Sequence, residues 1–385
     1  MQIAKRMNSI PFTPIRKIFE EANRREAAGE TIIHLEMGRP DFDTPAHIKA
    51  AAIKAIEAGK VHYSSNYGLP ELRAAIADKF KRDNNLDYDP ATEIIVTVGA
   101  TEAIFMAMMA LLDPGDEALI PMPAFPAYSR CVYMADAKPV PVPAREANDF
   151  TPSVSDLQSQ ITSRTRLLVL TTPNNPTGAV YSAEVLEQIA ALAVEKDLIV
   201  LSDEIYEKII YDGQRHYSIA AYPGMRERTI TVNGFSKSYS MTGWRLGYIG
   251  SSAELVAALI RIKQYATVCA TTFSQWGAVE ALNGPQDCVA EMVAEFDRRR
   301  RMVLERLAVM PAISFTRPQG AFYIFINTNG VGKPPQQIAA ELLEKVKIAV
   351  VPWGDEHIRI SYANSYQNLS KAMDALEAVL SEWCG

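Results

Sequence analysis

Arg166-Leu-Leu-Val-Leu-Thr-Thr172 runs into Pro173-Asn-Asn-Pro-Thr-Gly178, then Ser182-Ala-Glu-Val-Leu-Glu-Gln-Ile-Ala-Ala-Leu-Ala-Val-Glu-Lys196, then Asp197-Leu-Ile-Val-Leu-Ser202. The first and last of these runs are apolar on both faces, as strands are in a sheet covered by helices on both sides. Between them Val185, Leu186, Ile189, Leu192 and Ala193 recur at helical spacing, with Ser182 as the expected N-cap. Strand, helix and returning strand form the repeating unit of a doubly wound, mostly parallel α/β sheet.

The same rhythm extends outward. Glu93–Gly99, Asp116–Pro121, Lys138–Pro143, Arg228–Asn233 and Trp244–Gly250 complete a set of seven strand-like runs. Prolines in Lys138–Pro143 place that run at a sheet edge or in an extended connector. A helix is expected over Thr101–Leu112, stopped by Asp113-Pro114-Gly115. These elements define a large α/β domain over residues 46–284, in which ligands gather beyond the carboxyl ends of the strands. Residues 285–310 read as a long charged helix. Its Asp297-Arg-Arg-Arg-Arg301 run, flanked by Glu291, Glu295 and Glu305, is expected to be a solvated face rather than a nucleic-acid contact. After it come Gly320–Ile326, a helix near 335–346, Ile348–Pro352, Ile358–Ser361 and a last helix near 367–383. This second, smaller α+β domain is expected to take in residues 1–45 together with 285–385.

Composition sets limits on function. The 385 residues include 39 Lys plus Arg and 45 Asp plus Glu, a net charge of −6, which offers no footprint for nucleic acid or an anionic membrane. Apolar residues at 48% and charged residues at 22% match a globular chain with a large core. The longest strongly apolar stretch, Ile104–Leu112, is far short of the ~20 residues that span a bilayer. Met1-Gln-Ile-Ala-Lys-Arg6 leads into no apolar signal region. Cys131, Cys269, Cys288 and Cys384 are scattered, and the five histidines show no zinc spacing, so reduced thiols in the cytoplasm and no metal are expected. Neither a P-loop nor a dinucleotide fingerprint is present.

Four segments carry chemistry. Gly99-Ala100-Thr101 follows a strand and opens a helix, where free N–H groups suit an anion, although any such junction also needs small residues and a cap. Asn174-Asn175-Pro176-Thr177-Gly178 reads as a turn after a strand. Ser202-Asp203-Glu204-Ile205-Tyr206 puts a carboxylate at the end of an apolar strand, costly unless paired, with helix capping by Asp203 as the competing reading. Ser236-Lys237-Ser-Tyr-Ser-Met-Thr-Gly-Trp-Arg245-Leu-Gly-Tyr248 pairs a loop lysine with an arginine eight residues on. Such a lysine is ordinarily a solvated charge; one able to lose its proton forms a Schiff base, and an arginine clamps a phosphate.

In this order and spacing, these segments resemble the fold type I pyridoxal-phosphate aminotransferases, specifically class I of the aspartate and aromatic group. The resemblance runs from Met37-Gly-Arg-Pro-Asp-Phe-Asp-Thr-Pro45 to Arg359. It implies that Lys237 carries the cofactor and then shuttles a proton, and that Asp203 keeps the pyridine nitrogen protonated. Tyr206 and Asn175 would hydrogen-bond the ring's phenolic oxygen. Ala100 through its backbone, Thr101, Ser236 and Arg245 would hold the phosphate, with more weight on Ser236 because Gly234 stands where many relatives have serine. Phe125 would stack on the cofactor, unless it is an ordinary core aromatic. Arg359 would clamp the substrate α-carboxylate, assisted by backbone at Gly38. Tyr63 would reach the phosphate of a neighbouring subunit, implying a homodimer with shared sites, or else pack in its own chain.

What the resemblance implies is transfer of an α-amino group from an L-amino acid to a 2-oxo acid by a ping-pong cycle. A C–S β-lyase or related lyase shares Lys237, Asp203 and Arg245 and is the alternative; a regulatory module would carry an added helix-turn-helix before Met37. Phe12 and Arg16 in Ile10–Arg16 argue in opposite directions about the substrate side chain. One departure stands out: relatives usually carry a longer glycine-rich loop before the carboxylate arginine. Here only Pro352–Ile358 separates Val351 from Arg359: either the loop is short or residues are missing from this segment, and the second is expected because Arg359 could hardly keep its position otherwise.

Overall fold

The computed structural model describes residues 3–12 and 14–384; Met1 and Gln2 of the amino-terminal stretch, Thr13, Gly385 and the side chains of Lys5, Pro14 and Cys384 lie outside the described residues. A seven-stranded sheet organises the middle of the chain in the order Ile94–Thr97, Gly247–Gly250, Thr229–Gly234, Ile199–Asp203, Thr165–Thr171, Glu117–Met122, Lys138–Pro143. The fold is α/β and the sheet mostly parallel. Only Gly247–Gly250 runs antiparallel to its neighbours. Lys138–Pro143 is the edge strand that its prolines required.

Helices cover both faces. Gly99–Leu111 buries Ala103, Ile104, Met106, Ala107 and Met108 against one face, starting two residues before the expected Thr101. Ala183–Glu195 buries Leu186, Ile189, Leu192 and Ala193 on the other, and Ser182 caps it by accepting the N–H of Val185. Burying the isoleucine, leucine and methionine side chains among these yields roughly 1.5–3 kcal/mol each, which is why the alternation of patterns in the sequence decides the layering.

A four-stranded antiparallel sheet, Val351–Trp353, His357–Ser361, Tyr323–Asn327 and Ser314–Phe315 in that order, forms the second unit with the helices Asp287–Leu307, Pro335–Val346 and Tyr366–Cys384. The run expected as one strand over Ile348–Pro352 is split. Ile348–Ala349 pairs in parallel with Ile33–His34, and Val351–Trp353 joins the four-stranded sheet. The amino-terminal helix Pro14–Ala27 also packs on this unit, whereas the turn Lys5–Ser9 crosses to the helix Ala127–Met134.

The arginine run departs from its reading as a solvated face. Arg298 and Arg301 are exposed, but Arg299 and Arg300 are buried. Consecutive helical positions point in different directions, so half the run faces inward. Arg300 meets Asp212 and Asp297 at 2.6–2.9 Å, donates to the carbonyl of Pro318 at 2.8 Å, and lies over the ring of Tyr211.

Candidate active site

The sheet delivers its functional residues to one rim. Thr97, Thr171, Asp203 and Gly234 end parallel strands, and the chain continues from them to Gly99, Asn175, Tyr206 and Lys237. Gly247 pairs with both Thr97 and Gly234. Because its strand runs the other way, its beginning rather than its end reaches this rim, and Arg245 comes with it. Every site residue expected from the sequence, Tyr63 excepted, lines one cavity of about 940 Å³.

Lys237 points its Nζ at the carbonyl oxygen of Gly38. Burial and the nearby cations Arg359 and Arg245 lower its pKa to about 8, against the opposing pull of Asp203. The expectation that Gly38 serves the substrate carboxylate meets a different contact here, since its carbonyl faces the lysine. A side chain at Gly38 would strike the hydroxyl of Tyr323 at 2.5 Å.

Asp203 does not cap a helix. The chain turns over residues 205–208 without entering one. Its carboxylate accepts the hydroxyl of Tyr128 at 2.7 Å and the N–H of Ile205 at 3.2 Å. Burial raises its pKa to about 6 and Glu204 adds to the rise, while the Tyr128 and Ile205 bonds oppose it.

One end of the cavity suits a phosphate. Arg245 holds a left-handed conformation, φ 54°, donates to the carbonyl of Thr242 at 3.1 Å, and lies so close to Gly99 that a Cβ there would meet its Nη2 at 2.5 Å. The free N–H groups opening Gly99–Leu111, with Thr101 and Ser236 beside them, face the same space. Gly234 leaves a serine little room: a Cβ would sit 3.0 Å from Gly247 Cα and from the carbonyl oxygen of Leu246, and both would have to give way.

The other end suits a carboxylate. Arg359 is buried, donates to Asn175 Oδ1 at 3.0 Å and to the carbonyl of Glu36 at 2.6 Å, and keeps a buried Nε with no acceptor. The short segment before it is enough to hold Arg359, contrary to the expectation that the arginine could hardly keep its position. Gly354, Asp355 and Glu356 close a hairpin, and Arg359 is fixed in a central strand opposite both Val351 and Phe325. Ladder pairing holds it in place. Tyr206 bonds not to Asn175 but to the hydroxyl of Tyr323, at 2.8 Å.

Tyr323 and Tyr128 are site residues that the sequence reading passed over. Tyr323 stacks its ring 4.4 Å from the guanidinium of Arg359, and Tyr128 takes a second hydrogen bond from Thr171 at 2.8 Å. Tyr323 was hidden in an apolar strand run and Tyr128 in a proline-rich turn; the polar tip of a buried tyrosine needs a partner, and that need was the available signal. Phe125 lines the cavity and meets Tyr128 edge to face at 5.8 Å. Behind Asp203, Glu204, Glu207 and His216 come together. Lys79 pairs with Glu207, His216 meets Glu204 at 2.8 Å, and Ser202 and Ser218 donate to Glu204. These acids already hold their own cations and donors. Tyr63 is 88% exposed and lies outside the cavity of its own chain.

The model of the aminotransferase class I and II family matches residues 30–376. The chain is 45% identical to an aspartate aminotransferase of Pyrococcus abyssi and 44% identical to the aromatic-amino-acid aminotransferase 2 of Thermococcus litoralis, each match covering 99% of both chains. Its fold superposes on the aspartate aminotransferase of Rhizobium meliloti with a TM-score of 0.95, at 40% identity over 99% of both chains. The chain belongs to the class I and II aminotransferase family.

Proposed function

We propose that this aminotransferase depends on pyridoxal phosphate and moves the α-amino group of an L-amino acid, of the aspartate or aromatic type, to a 2-oxo acid such as 2-oxoglutarate in two half-reactions. One observation carries the reading: a single cavity holds a lysine with a pKa near 8, two guanidinium groups suited to anions, and a buried carboxylate.

Those residues fit the cofactor, since Arg245 lies against Gly99 in a cradle that any Cβ would fill. When bound, pyridoxal phosphate supplies a carbonyl that takes up the amino group and a ring that accepts the electron pair left on the α-carbon. Arg245, the N–H groups near Ala100, Thr101 and Ser236 hold its phosphate. Asp203 holds a proton on the ring nitrogen, Asn175 and Tyr206 serve the phenolic oxygen, and Phe125 covers one face. Lys237 would hold the cofactor through its amine and would move the proton at the substrate α-carbon. Arg359, with a free buried Nε, orients the substrate through its α-carboxylate.

The same reading assigns residues 46–284 to a cofactor-binding domain and 1–45 with 285–385 to a smaller one, in keeping with the separate seven-stranded and four-stranded sheets. It makes the protein a homodimer in which Tyr63, exposed beside Val61, reaches the partner's phosphate. The scattered, unpaired spacing of its cysteines is our ground for a cytoplasmic location; among the described residues no helix is long and apolar enough to cross a membrane. The test is a panel of amino acids assayed with 2-oxoglutarate. Oxo-acid-dependent transfer is expected; release of pyruvate and ammonia without any added oxo acid would make the protein a lyase.

A further inference from the structure

A second cavity, of about 190 Å³, adjoins the substrate end of the site. Ile15, Phe125 and Arg130 border both spaces. Behind them the second is walled by Ile120, Ala124 and Trp353, with Gly354 at the point where the short hairpin turns. Trp353, which lines this second cavity together with Arg130, also lies 5.9 Å from the guanidinium of Arg359.

The arginines around this space differ in what they hold. Arg16 meets Glu20 at 2.7 Å, Arg245 meets the carbonyl of Thr242, Arg359 meets Asn175 and the carbonyl of Glu36, and Arg39, which has no carboxylate partner among the described residues, is exposed to water. Arg130 is half-buried, its Nε is buried without an acceptor, and among the described residues no carboxylate pairs with it. A buried donor without an acceptor carries a desolvation cost that an anion relieves, and a guanidinium fork is shaped for a carboxylate.

We propose that Arg130 binds a carboxylate at the far end of the substrate side chain, and that the cavity behind Phe125 admits the apolar body of a side chain longer than that of aspartate. The substrate class is therefore amino acids with an extended apolar side chain ending in an acid, of which 2-aminoadipate is the simplest probe. The inference rests on the aminotransferase reading and adds a distal subsite to it. Aromatic donors without an acid would use the apolar wall alone and leave Arg130 idle.

The experiment compares parent, Arg130→Met and Arg130→Lys as holoenzymes. Half-reactions with aspartate, 2-aminoadipate, norleucine and phenylalanine are followed by cofactor absorbance, and adipate is compared with hexanoate by titration calorimetry. The parent should take 2-aminoadipate at least as well as aspartate and bind adipate in preference to hexanoate. Arg130→Met should weaken 2-aminoadipate and adipate by about 30-fold or more while leaving norleucine and hexanoate little changed, and Arg130→Lys should restore part of the loss. Equal losses for acidic and apolar ligands, no loss at all, or a parent that prefers aspartate would overturn the proposal. A parent inert toward every donor would instead remove the aminotransferase reading, and the adipate titration would still decide whether Arg130 binds the distal acid.

Discussion

The hydroxyl of Tyr128 donates to Oδ2 of Asp203 at 2.7 Å while accepting the hydroxyl proton of Thr171 at 2.8 Å. A neutral donor thus supports the ionised form of a buried carboxyl whose pKa stands near 6. Tyr128→Phe removes that support, and the carboxyl should protonate roughly one pH unit higher. Asp203 serves as a carboxylate above its pKa, so the variant should capture pyridoxal phosphate more slowly near neutral pH and almost normally at alkaline pH. Association rates of cofactor-free protein across pH measure the midpoint, and an unmoved midpoint would refute the role of Tyr128.

Lys237→Ala should abolish cofactor attachment that borohydride can trap, because only an amine forms the reducible linkage. The parent should become trappable as pH rises through about 8, where the amine loses its proton. Peptide mapping after reduction gives the answer; label on another lysine would displace Lys237 from its assigned place.

Arg359→Ala should raise KM for amino acid and oxo acid alike, while the cofactor still binds through Arg245. Deleting one member of a charge-assisted pair in a buried site costs ~2–5 kcal/mol, a factor of thirty or more. Steady-state kinetics on both substrates check this, and unchanged constants would point to Arg16 as the carboxylate clamp.

Two-chain sites can be tested by mixing. Refolding a Lys237→Ala chain together with a Tyr63→Ala chain should give hybrids with one doubly damaged site and one intact site, and activity should exceed that of either parent. Hybrids that form yet stay as inactive as their parents would place the Tyr63 hydroxyl in its own subunit.

Arg300→Met addresses stability rather than chemistry. It leaves Asp212 and Asp297 with fewer cations and frees the carbonyl of Pro318. Loss of one partner from a buried ion-pair cluster costs ~3–5 kcal/mol. Urea unfolding should show a midpoint well below that of the parent, with half-reaction rates preserved under native conditions.

How legible the molecule was in its sequence differs from element to element. Strand Thr165–Thr171 and helix Ala183–Glu195 were readable because burial imposes a period, and Ser182 because a cap needs an acceptor. The site motifs were readable because the loops that follow strands carry uncommon residue combinations at fixed separations. Tyr128, Tyr323 and Arg130 were not. Each sits in a segment whose local pattern is satisfied by packing alone, and its polar tip finds meaning only through a partner remote in sequence: Asp203, Tyr206, or an acid that arrives with substrate. The arginine run misled for a related reason, since Asp212, which faces Arg300, lies 88 positions away.

Arg359 owes its position to pairing with Val351 on one side and Phe325 on the other, and the chain between Trp353 and His357 bears none of that burden. The turn at 354–356 is therefore a place where evolution or an engineer can lengthen the chain without disturbing how the α-carboxylate is held. Added residues there would overhang the space beside Trp353 and Arg130, trimming or reshaping what side chains the enzyme admits. Recognition of the part common to all amino acids and recognition of the part that differs are thereby governed by separate stretches of one hairpin, and the second can drift while the first stays fixed.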